Sequence, residues 1–189
     1  MGFRKLLNGF EIDRRSGYST VDIVKFFKIL SERPRGRVLL IKELGLGEAT
    51  VKTMIKNLRL HGFTRYSTRG EMLTEKGRRV SDYLNRKVSN AFRIQIPSIS
   101  KKPTVALIVR EASRKVRMGI EQRDEGMKMG TNVTTLVFQN KQVKFPGTGE
   151  VVRGLENVEL KDNDVIIIAS GENTRQAERG GIAAILTLI

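Results

Sequence analysis

The segment between residues 37 and 73 constrains the fold of this chain more than any other part of its sequence. Within that stretch the spacing of apolar residues changes from helical to strand-like, and glycines mark the changes. Gly62 is a residue type suited to the left-handed conformation that ends many helices. The predicted elements are, in order, helix 37–44, turn 45–47, helix 48–61, strand 63–67, turn 68–70 and strand 71–73. The pattern therefore predicts two consecutive helices followed by a two-stranded hairpin.

Helical patterns flank this segment on both sides. The helix before it has apolar residues at helical spacing, namely Ile23, Phe26, Phe27 and Leu30. Ser19 or Thr20 is its expected N-cap, and Pro34 ends it because the residue before a proline disfavours helix. After the hairpin, Thr74 is expected to cap a basic amphipathic helix whose apolar positions are Val80, Leu84 and Val88. For residues 1–18 we expect an irregular arm with a short helix at Phe3–Phe10.

The chain carries a formal net charge of +15, and most of that charge belongs to its N-terminal half. Residues 1–90 hold 20 basic and 9 acidic side chains, whereas residues 91–189 hold 15 and 11. A concentrated positive field attracts phosphate backbones or anionic membrane surfaces. No apolar run has the length of a membrane span and the first residues lack a secretion signal, so we expect a cytoplasmic protein with no membrane partner.

The residue types that build metal centres are nearly missing from this sequence. It contains no cysteine and one histidine, His61, which excludes thiolate metal sites, a cysteine nucleophile and metal sites with several histidines. We expect neither a metal nor a cofactor. His61 ends the predicted helix 48–61, where a lone histidine is interpreted as a helix-end cap or a phosphate contact rather than a catalytic group.

The predicted helix 48–61 has one apolar and one polar face. The apolar face consists of Val51, Met54, Ile55 and Leu58. The candidate DNA-binding residues of the opposite side are Ala49, Thr50, Lys52, Thr53, Lys56 and Asn57. Lysines suit phosphates or guanine, Asn57 suits adenine, and Thr53 suits the methyl group of thymine. A solvated helix face is the alternative, but further basic residues surround this helix, among them Arg33, Arg35, Arg37, Arg65, Arg69, Lys76, Arg78 and Arg79.

The stretch GRVLLIKELGLGEATVKTMIKNLRLHGFTRYSTRGEMLTEKG resembles winged-helix transcription regulators, and the similarity covers roughly residues 19–90. The resemblance implies that helix 48–61 lies in the major groove of DNA. It also implies that the wing, residues 63–73, places Arg65 and Arg69 along the backbone or the minor groove. A winged helix that binds another protein is the alternative within the same fold.

The C-terminal half differs in character. Its expected strands are 92–96, 104–109, 133–138, 143–145 and 165–169, and its expected helices are 120–129 and 173–188. The runs EQRDEGMKMGTNVTTLVFQNKQVKFPG and DNDVIIIASGENTRQAERGGIAAILTLI resemble the C-terminal domain, of unknown function, of a family of archaeal winged-helix proteins. The resemblance implies a two-layer α/β domain. The fold class is thus α+β, with an arm at 1–18, a winged helix-turn-helix at 19–90 and an α/β domain at 91–189 for dimerisation or effector sensing.

One feature of the C-terminal half suggests an anion or effector site. A buried strand that leads into a helix N-terminus can hold an anion on its backbone N–H groups. The candidate residues are Ser170, Gly171, Asn173, Thr174 and Arg175, with Arg179 nearby. Capping of the helix by Ser170 explains the same residues without a ligand. The acidic residues Glu121, Asp124 and Glu125 are interpreted as a solvated, salt-bridged surface.

These expectations favour a sequence-specific DNA-binding transcriptional regulator, located with the nucleoid, that acts as a homodimer on double-stranded DNA. The last helix is apolar on nearly all sides, which is typical of a helix in a core or at a subunit interface. Two alternatives remain: an enzyme that binds a nucleotide or small molecule through residues 91–189 and carries a fused winged-helix reader, or an RNA-binding protein. The absence of an evident catalytic set disfavours an enzyme.

Overall fold

The computed structural model describes residues 2–13 and 15–189 of this chain, which has a mixed α/β fold with two antiparallel sheets. The chain divides into two compact units, Met1–Asn85 and Arg86–Ile189. No helix among the described residues combines the length and the apolar character that spanning a membrane requires.

The N-terminal unit contains the helices and the hairpin that the sequence pattern predicts. Its elements are α1 (Phe3–Leu6), α2 (Thr20–Glu32), α3 (Arg37–Leu44), α4 (Glu48–Leu60), β1 (Thr64–Ser67), β2 (Gly70–Leu73) and the first part of α5 (Glu75–Lys87). The strands β1 and β2 pair in antiparallel register. Helix α5 ends at Lys87, so the predicted apolar position Val88 lies just after the helix. Val88 already belongs to the C-terminal unit, where it forms a β-bridge to Val109.

Local signals explain where these helices begin and end. Ser19 is the N-cap of α2 and forms a capping box with Asp22, whose carboxylate accepts a hydrogen bond from the Ser19 backbone N–H at 2.8 Å. Gly45 ends α3 in the left-handed conformation, with φ of 71°. The predicted apolar faces of α2 and α4 are both buried.

The N-terminal arm is mostly irregular, as the sequence predicts, and it packs into the N-terminal unit. Its helix is one turn, Phe3–Leu6, rather than Phe3–Phe10. Its apolar side chains are nevertheless buried in the unit, namely Phe3, Leu7, Phe10 and Tyr18. The ring of Phe10 meets that of Phe63 edge to face, with 5.8 Å between ring centroids. The arm is thus part of the hydrophobic core around α4.

The C-terminal unit is built on one five-stranded antiparallel sheet. Its elements are β3 (Phe92–Arg93), β4 (Thr104–Val109), a 3-10 turn (Ser113–Lys115), α6 (Ile120–Lys128), β5 (Asn132–Gln139), β6 (Gln142–Lys144), β7 (Val165–Ser170) and α7 (Thr174–Ile185). The strand order is β3-β4-β7-β5-β6. The predicted strand at 92–96 is shorter than expected, and the last helix begins after Asn173 and ends at Ile185.

Both faces of the central strands are buried, which explains why β4 and β7 are apolar without alternation. Helix α7 packs on one face, where a Cβ atom on Gly181 would lie 2.4 Å from the Leu107 side chain and 3.4 Å from that of Ala169. The opposite face carries a second cluster in which Ala106 and Ile168 pack with Leu155 from the β6–β7 connection. The helices therefore cover one face, and connecting segments cover the other.

Candidate functional site

Helix α4 presents an exposed polar face to solvent. The members of the predicted set that are exposed there are Ala49, Lys52, Thr53 and Lys56. The Lys52 ammonium lies 3.0 Å from a carboxylate oxygen of Glu48, and this hydrogen bond lowers the pKa of Glu48. The Thr53 hydroxyl donates to the Ala49 carbonyl at 3.0 Å. Lys56 has no ion-pair partner within the described part of the chain, so its charge is not neutralised.

The other two predicted residues of α4 face the N-terminal arm. The Asn57 side-chain amide donates to the Tyr18 hydroxyl at 2.9 Å, and Tyr18 is buried. A Cβ atom on Gly17 would lie 3.0 Å from the Thr50 hydroxyl oxygen, so the arm backbone approaches Thr50 closely. One N–H of the Asn57 amide is therefore already bonded, and a base would compete with Tyr18 for it.

The hairpin places its two predicted arginines differently. Arg65 and Arg69 are both exposed and have no ion-pair partner among the residues that the structure describes. Successive side chains of a strand point to opposite faces, so Arg65 and Tyr66 lie on opposite faces of β1. Tyr66 and Arg69 line a groove between the hairpin and the helices, whereas Arg65 does not.

This groove, which we call the α4–hairpin groove, has a volume of about 800 Å³. Its walls come from the first turn of α3, one side of α4 and the hairpin. Among the predicted residues, it brings together Lys52, Lys56 and Arg69. Ala49, Thr53 and Arg65 are exposed but do not line it. The structure therefore divides the predicted site into a groove and an adjoining helix face.

Sequence reasoning missed three residues of the groove that act as a unit. The Arg59 Nε atom lies 3.0 Å from both carboxylate oxygens of Glu71, and this interaction raises the pKa of Arg59. The Glu71 side chain is only 2% exposed. The Arg59 guanidinium carbon lies 5.5 Å from the centre of the Tyr66 ring. The spacing of Lys52, Lys56 and Arg59 on one side of a helix was the available signal.

Not every arginine near α4 adds to the exposed positive surface. The predicted contribution of Arg35 is wrong, because this residue is 5% exposed and its side chain contacts the carboxylates of Glu32 and Glu43 at 2.9 and 3.3 Å. Its backbone pairs with that of Glu71 through two hydrogen bonds of 2.9 and 3.0 Å. Arg35 therefore holds the segment before α3 against β2.

His61 occupies the C-cap position of α4, where the sequence places it. Its Nδ1 atom lies 2.9 Å from the Asn57 carbonyl oxygen, and its ring meets that of Phe10 with 5.2 Å between centroids. The Lys76 ammonium contacts the His61 carbonyl oxygen at 2.9 Å. These contacts account for His61 as a helix-end residue that packs against the arm. Leu60, beside it, is 78% exposed.

Some backbone donors of the predicted anion site in the C-terminal unit already have protein acceptors. The N-cap of α7 is Asn173, not Ser170, because Ser170 is the last residue of β7. The Asn173 side chain accepts a hydrogen bond from the backbone N–H of Gln176 at 2.9 Å. The backbone N–H groups of Gly171 and Glu172 donate to Pro103 and to the Gln176 side chain at 3.1 and 2.9 Å. Thr174 and Arg175 lie in the first turn of the helix.

Two other features of this unit have structural explanations. Helix α7 is apolar on nearly all sides because it is buried on the sheet of its own unit, so its composition gives no argument for a subunit interface. Glu125 pairs with Lys128 at 2.6 Å, and Asp124 lies 3.5 Å from Arg123. Within the described ranges, no three acidic or histidine side chains are grouped closely enough to hold a metal ion.

Residues 99–188 match the model of a family described as a domain of unknown function, DUF4443. The expected resemblance of the C-terminal half to a domain of unknown function is thereby confirmed. The DUF4443 match lies within the C-terminal unit and includes β4 to α7. It therefore assigns the anion candidates, but not the α4–hairpin groove, to that domain.

A solved structure extends the similarity beyond the DUF4443 segment. It is the hypothetical protein PH0730 from Pyrococcus horikoshii OT3, with a TM-score of 0.73 and 24% sequence identity. The similarity covers 89% of this chain and 91% of that chain. At this level of identity it shows a shared fold and carries no function. No curated protein matches the chain.

Proposed function

We propose that the N-terminal unit is a winged helix-turn-helix that binds double-stranded DNA and that the chain is a transcriptional regulator. In this proposal α3 and α4 form the helix-turn-helix, and the β1–β2 hairpin is the wing. The major groove admits an α-helix, and α4, the second helix of this pair, has an exposed polar face. Arg65 and Arg69 on the hairpin then reach the backbone or the minor groove.

One observation carries this proposal: α4 and the adjoining hairpin hold three exposed cations with no carboxylate partner in the described residues, namely Lys56, Arg65 and Arg69. A cation that already forms an ion pair gains less free energy from binding a phosphate, because the existing ion pair must break first. Unpaired surface cations lose only solvent and counterions when they meet DNA, and counterion release favours binding. The surface is thus suited to a polyanion.

The neighbouring charges support the same interpretation. Arg35 and Arg59 are held by carboxylates, so they shape the unit rather than add to its field. Lys52 shares its charge with Glu48. On α4 and the hairpin, the exposed cations that remain without a carboxylate partner in the described residues are Lys56, Arg65 and Arg69. In this proposal the α4 residues that contact bases or phosphates are Ala49, Lys52, Thr53 and Lys56.

The role of the C-terminal unit stays a prediction. A regulator that reads paired half-sites needs two recognition helices, which favours a homodimer. The edge strands β3 and β6 have two and three residues, so they offer little edge for pairing between the sheets of two copies. Sedimentation of the full chain, alone and with DNA, measures the oligomeric state directly.

A selection of genomic fragments by the purified full chain tests the proposed function. Total RNA is present as competitor, and the salt concentration is about 150 mM so that non-specific phosphate attraction is weakened. We expect enrichment of a few fragments that share a palindromic or repeated motif. Even recovery of all DNA would contradict sequence-specific regulation, and loss of the DNA to the RNA would favour the RNA-binding alternative.

Variants then connect the binding to this surface. Each neutralised phosphate contributes about 0.9 to the slope of log affinity against log salt concentration. We expect Lys56→Ala and Arg69→Ala to reduce that slope by about one unit each. Arg114→Ala, which removes an exposed charge from the C-terminal unit, is the charge-matched control and is expected to leave the slope unchanged. Equal slopes for all three variants would place the binding surface elsewhere.

A further inference from the structure

The α4–hairpin groove has a chemical character that the face of a paired duplex does not require. Its floor and walls include an aromatic ring and two aliphatic side chains that are open to solvent. Tyr66 is 70% exposed, Val38 is 78% exposed and Leu39 is 47% exposed. All three line the groove together with Lys56 and Arg69. Apolar surface beside unpaired cations suits a ligand with both a flat apolar part and a negative charge.

The Tyr66 ring has the guanidinium of Arg59 over one of its faces. The Arg59 guanidinium lies 5.5 Å from the ring centre and is itself bound by the buried carboxylate of Glu71. Glu71 in turn is fixed through its backbone, which pairs with that of Arg35. This chain of contacts orients the ring before any ligand arrives. Pre-orientation reduces the conformational entropy that the Tyr66 side chain loses when a ligand stacks on its ring.

We infer that the α4–hairpin groove binds an unpaired nucleotide of the nucleic acid held by the N-terminal unit, an inference that rests on the proposed function. The base stacks on Tyr66 beside Val38 and Leu39, and the flanking phosphates lie against Lys56 and Arg69. In a paired duplex the base faces are covered by their neighbours, so a base meets an aromatic side chain only after it leaves the stack. The protein would then favour DNA that is locally opened.

Two DNA probes of the same sequence and length test this inference with the full chain. One is fully paired, and the other contains three unpaired nucleotides at its centre. We expect the wild-type chain to bind the opened probe more tightly. Stacking of one base contributes about 1–3 kcal/mol, so Tyr66→Ala is expected to lower affinity for the opened probe by about 5-fold to 150-fold and to leave the paired probe unchanged.

Tyr66→Phe is the matched control, because it keeps the ring and removes only the hydroxyl. It is expected to retain the preference for the opened probe. The chain has no tryptophan and three tyrosines, so stacking is also visible as quenching of tyrosine emission, which Tyr66→Phe reduces. Tyr66 is largely exposed, and thermal unfolding of both variants checks that the fold is kept.

The outcomes separate this inference from the proposed function. Equal affinity of the wild-type chain for both probes overturns the inference while duplex binding stands. Equal losses on both probes in Tyr66→Ala overturn it as well, because the ring would then contact the duplex itself. If neither probe binds at about 150 mM salt, the proposed function fails instead.

Discussion

The Asn57 side-chain amide donates a hydrogen bond to the Tyr18 hydroxyl oxygen, with 2.9 Å between Nδ2 and Oη. The two residues are 39 positions apart in the sequence, and Tyr18 is buried. This bond fastens the N-terminal arm to the side of α4. It also occupies one N–H of the amide that the sequence pattern assigned to adenine. The arm therefore covers one side of α4, and less of the helix surface is accessible to a ligand.

The first prediction concerns this bond. We expect Tyr18→Phe and Asn57→Ala each to lower the free energy of unfolding by about 1 kcal/mol, because each removes one partner of a partly buried hydrogen bond. The double variant is expected to lose less than the sum of the two, since the same bond is lost. Urea denaturation measures the three values.

DNA binding by the same variants distinguishes a structural from a base-reading role for Asn57. We expect the Asn57→Ala variant to select the same DNA fragments as the wild-type chain. A changed sequence preference with unchanged stability would show that the amide leaves Tyr18 and reads a base, as the sequence pattern first indicated.

The second prediction concerns Arg59 and Glu71. Arg59→Met leaves the buried Glu71 carboxylate without its cation, and we expect a loss of about 1–3 kcal/mol in unfolding free energy, the lower end reflecting the partly exposed arginine. Arg59→Met combined with Glu71→Met is expected to be less destabilising than Arg59→Met alone, because no buried charge remains unpaired. Urea denaturation at neutral pH measures the unfolding free energies of the wild-type chain, the single variant and the double variant. A double variant that is the least stable of the set would contradict this account.

The third prediction concerns Gly70, where the hairpin meets the segment before α3. Its φ is 108°, and a Cβ atom there would lie 2.5 Å from the backbone carbonyl carbon and oxygen of Arg35. Gly70→Ala therefore combines strain with a clash against backbone, and we expect a loss of about 2 kcal/mol or more. Gly62→Ala is the control, since its φ is 72° but no atom lies within 4 Å of the added Cβ.

Thermal unfolding of both glycine variants measures the difference. Gly62→Ala is expected to lose about 1 kcal/mol from strain alone. Equal losses for the two variants would mean that the backbone of Arg35 moves aside at Gly70.

The fourth prediction concerns Lys28 of α2, whose burial lowers its pKa to about 8. The unfolded chain has the ordinary value of 10.5, so between pH 8 and 10.5 the unfolded state binds more protons than the folded state. The contribution of Lys28 to stability therefore rises with pH in that window. Below about pH 8 the folded protein carries the positive charge of Lys28, which burial disfavours.

Lys28→Met removes this disfavoured charge. We expect the variant to be more stable than the wild-type chain by about 1–2 kcal/mol at pH 7, a value reduced because the side chain is partly exposed. The difference is expected to disappear above about pH 10.5, where lysine is neutral in both states. Urea denaturation across this range measures it, with the exposed Lys101→Met as control. If the difference in unfolding free energy between Lys28→Met and the wild-type chain were the same at all pH values, side-chain packing and not the lysine charge would explain it.

Local signals in the sequence determined most of the helices and strands. The capping box at Ser19 and the glycine at position 45 mark helix ends because they act on hydrogen bonds within a few residues. The exposed lysines of α4 were predictable for the same reason, since helical spacing alone puts Lys52 and Lys56 opposite the buried Val51 and Leu58. The presence of a hairpin after α4 followed from its turn residues.

Only the tertiary structure decided which polar groups are available and how the C-terminal strands pair. Tyr18 meets Asn57, and Glu71 meets Arg59, across separations of 39 and 12 residues. Likewise β7 lies between β4 and β5, an order that no local pattern specifies. Helical spacing describes one element at a time, whereas the burial of Arg35 or the arm depends on surfaces from several elements that meet only in the folded chain.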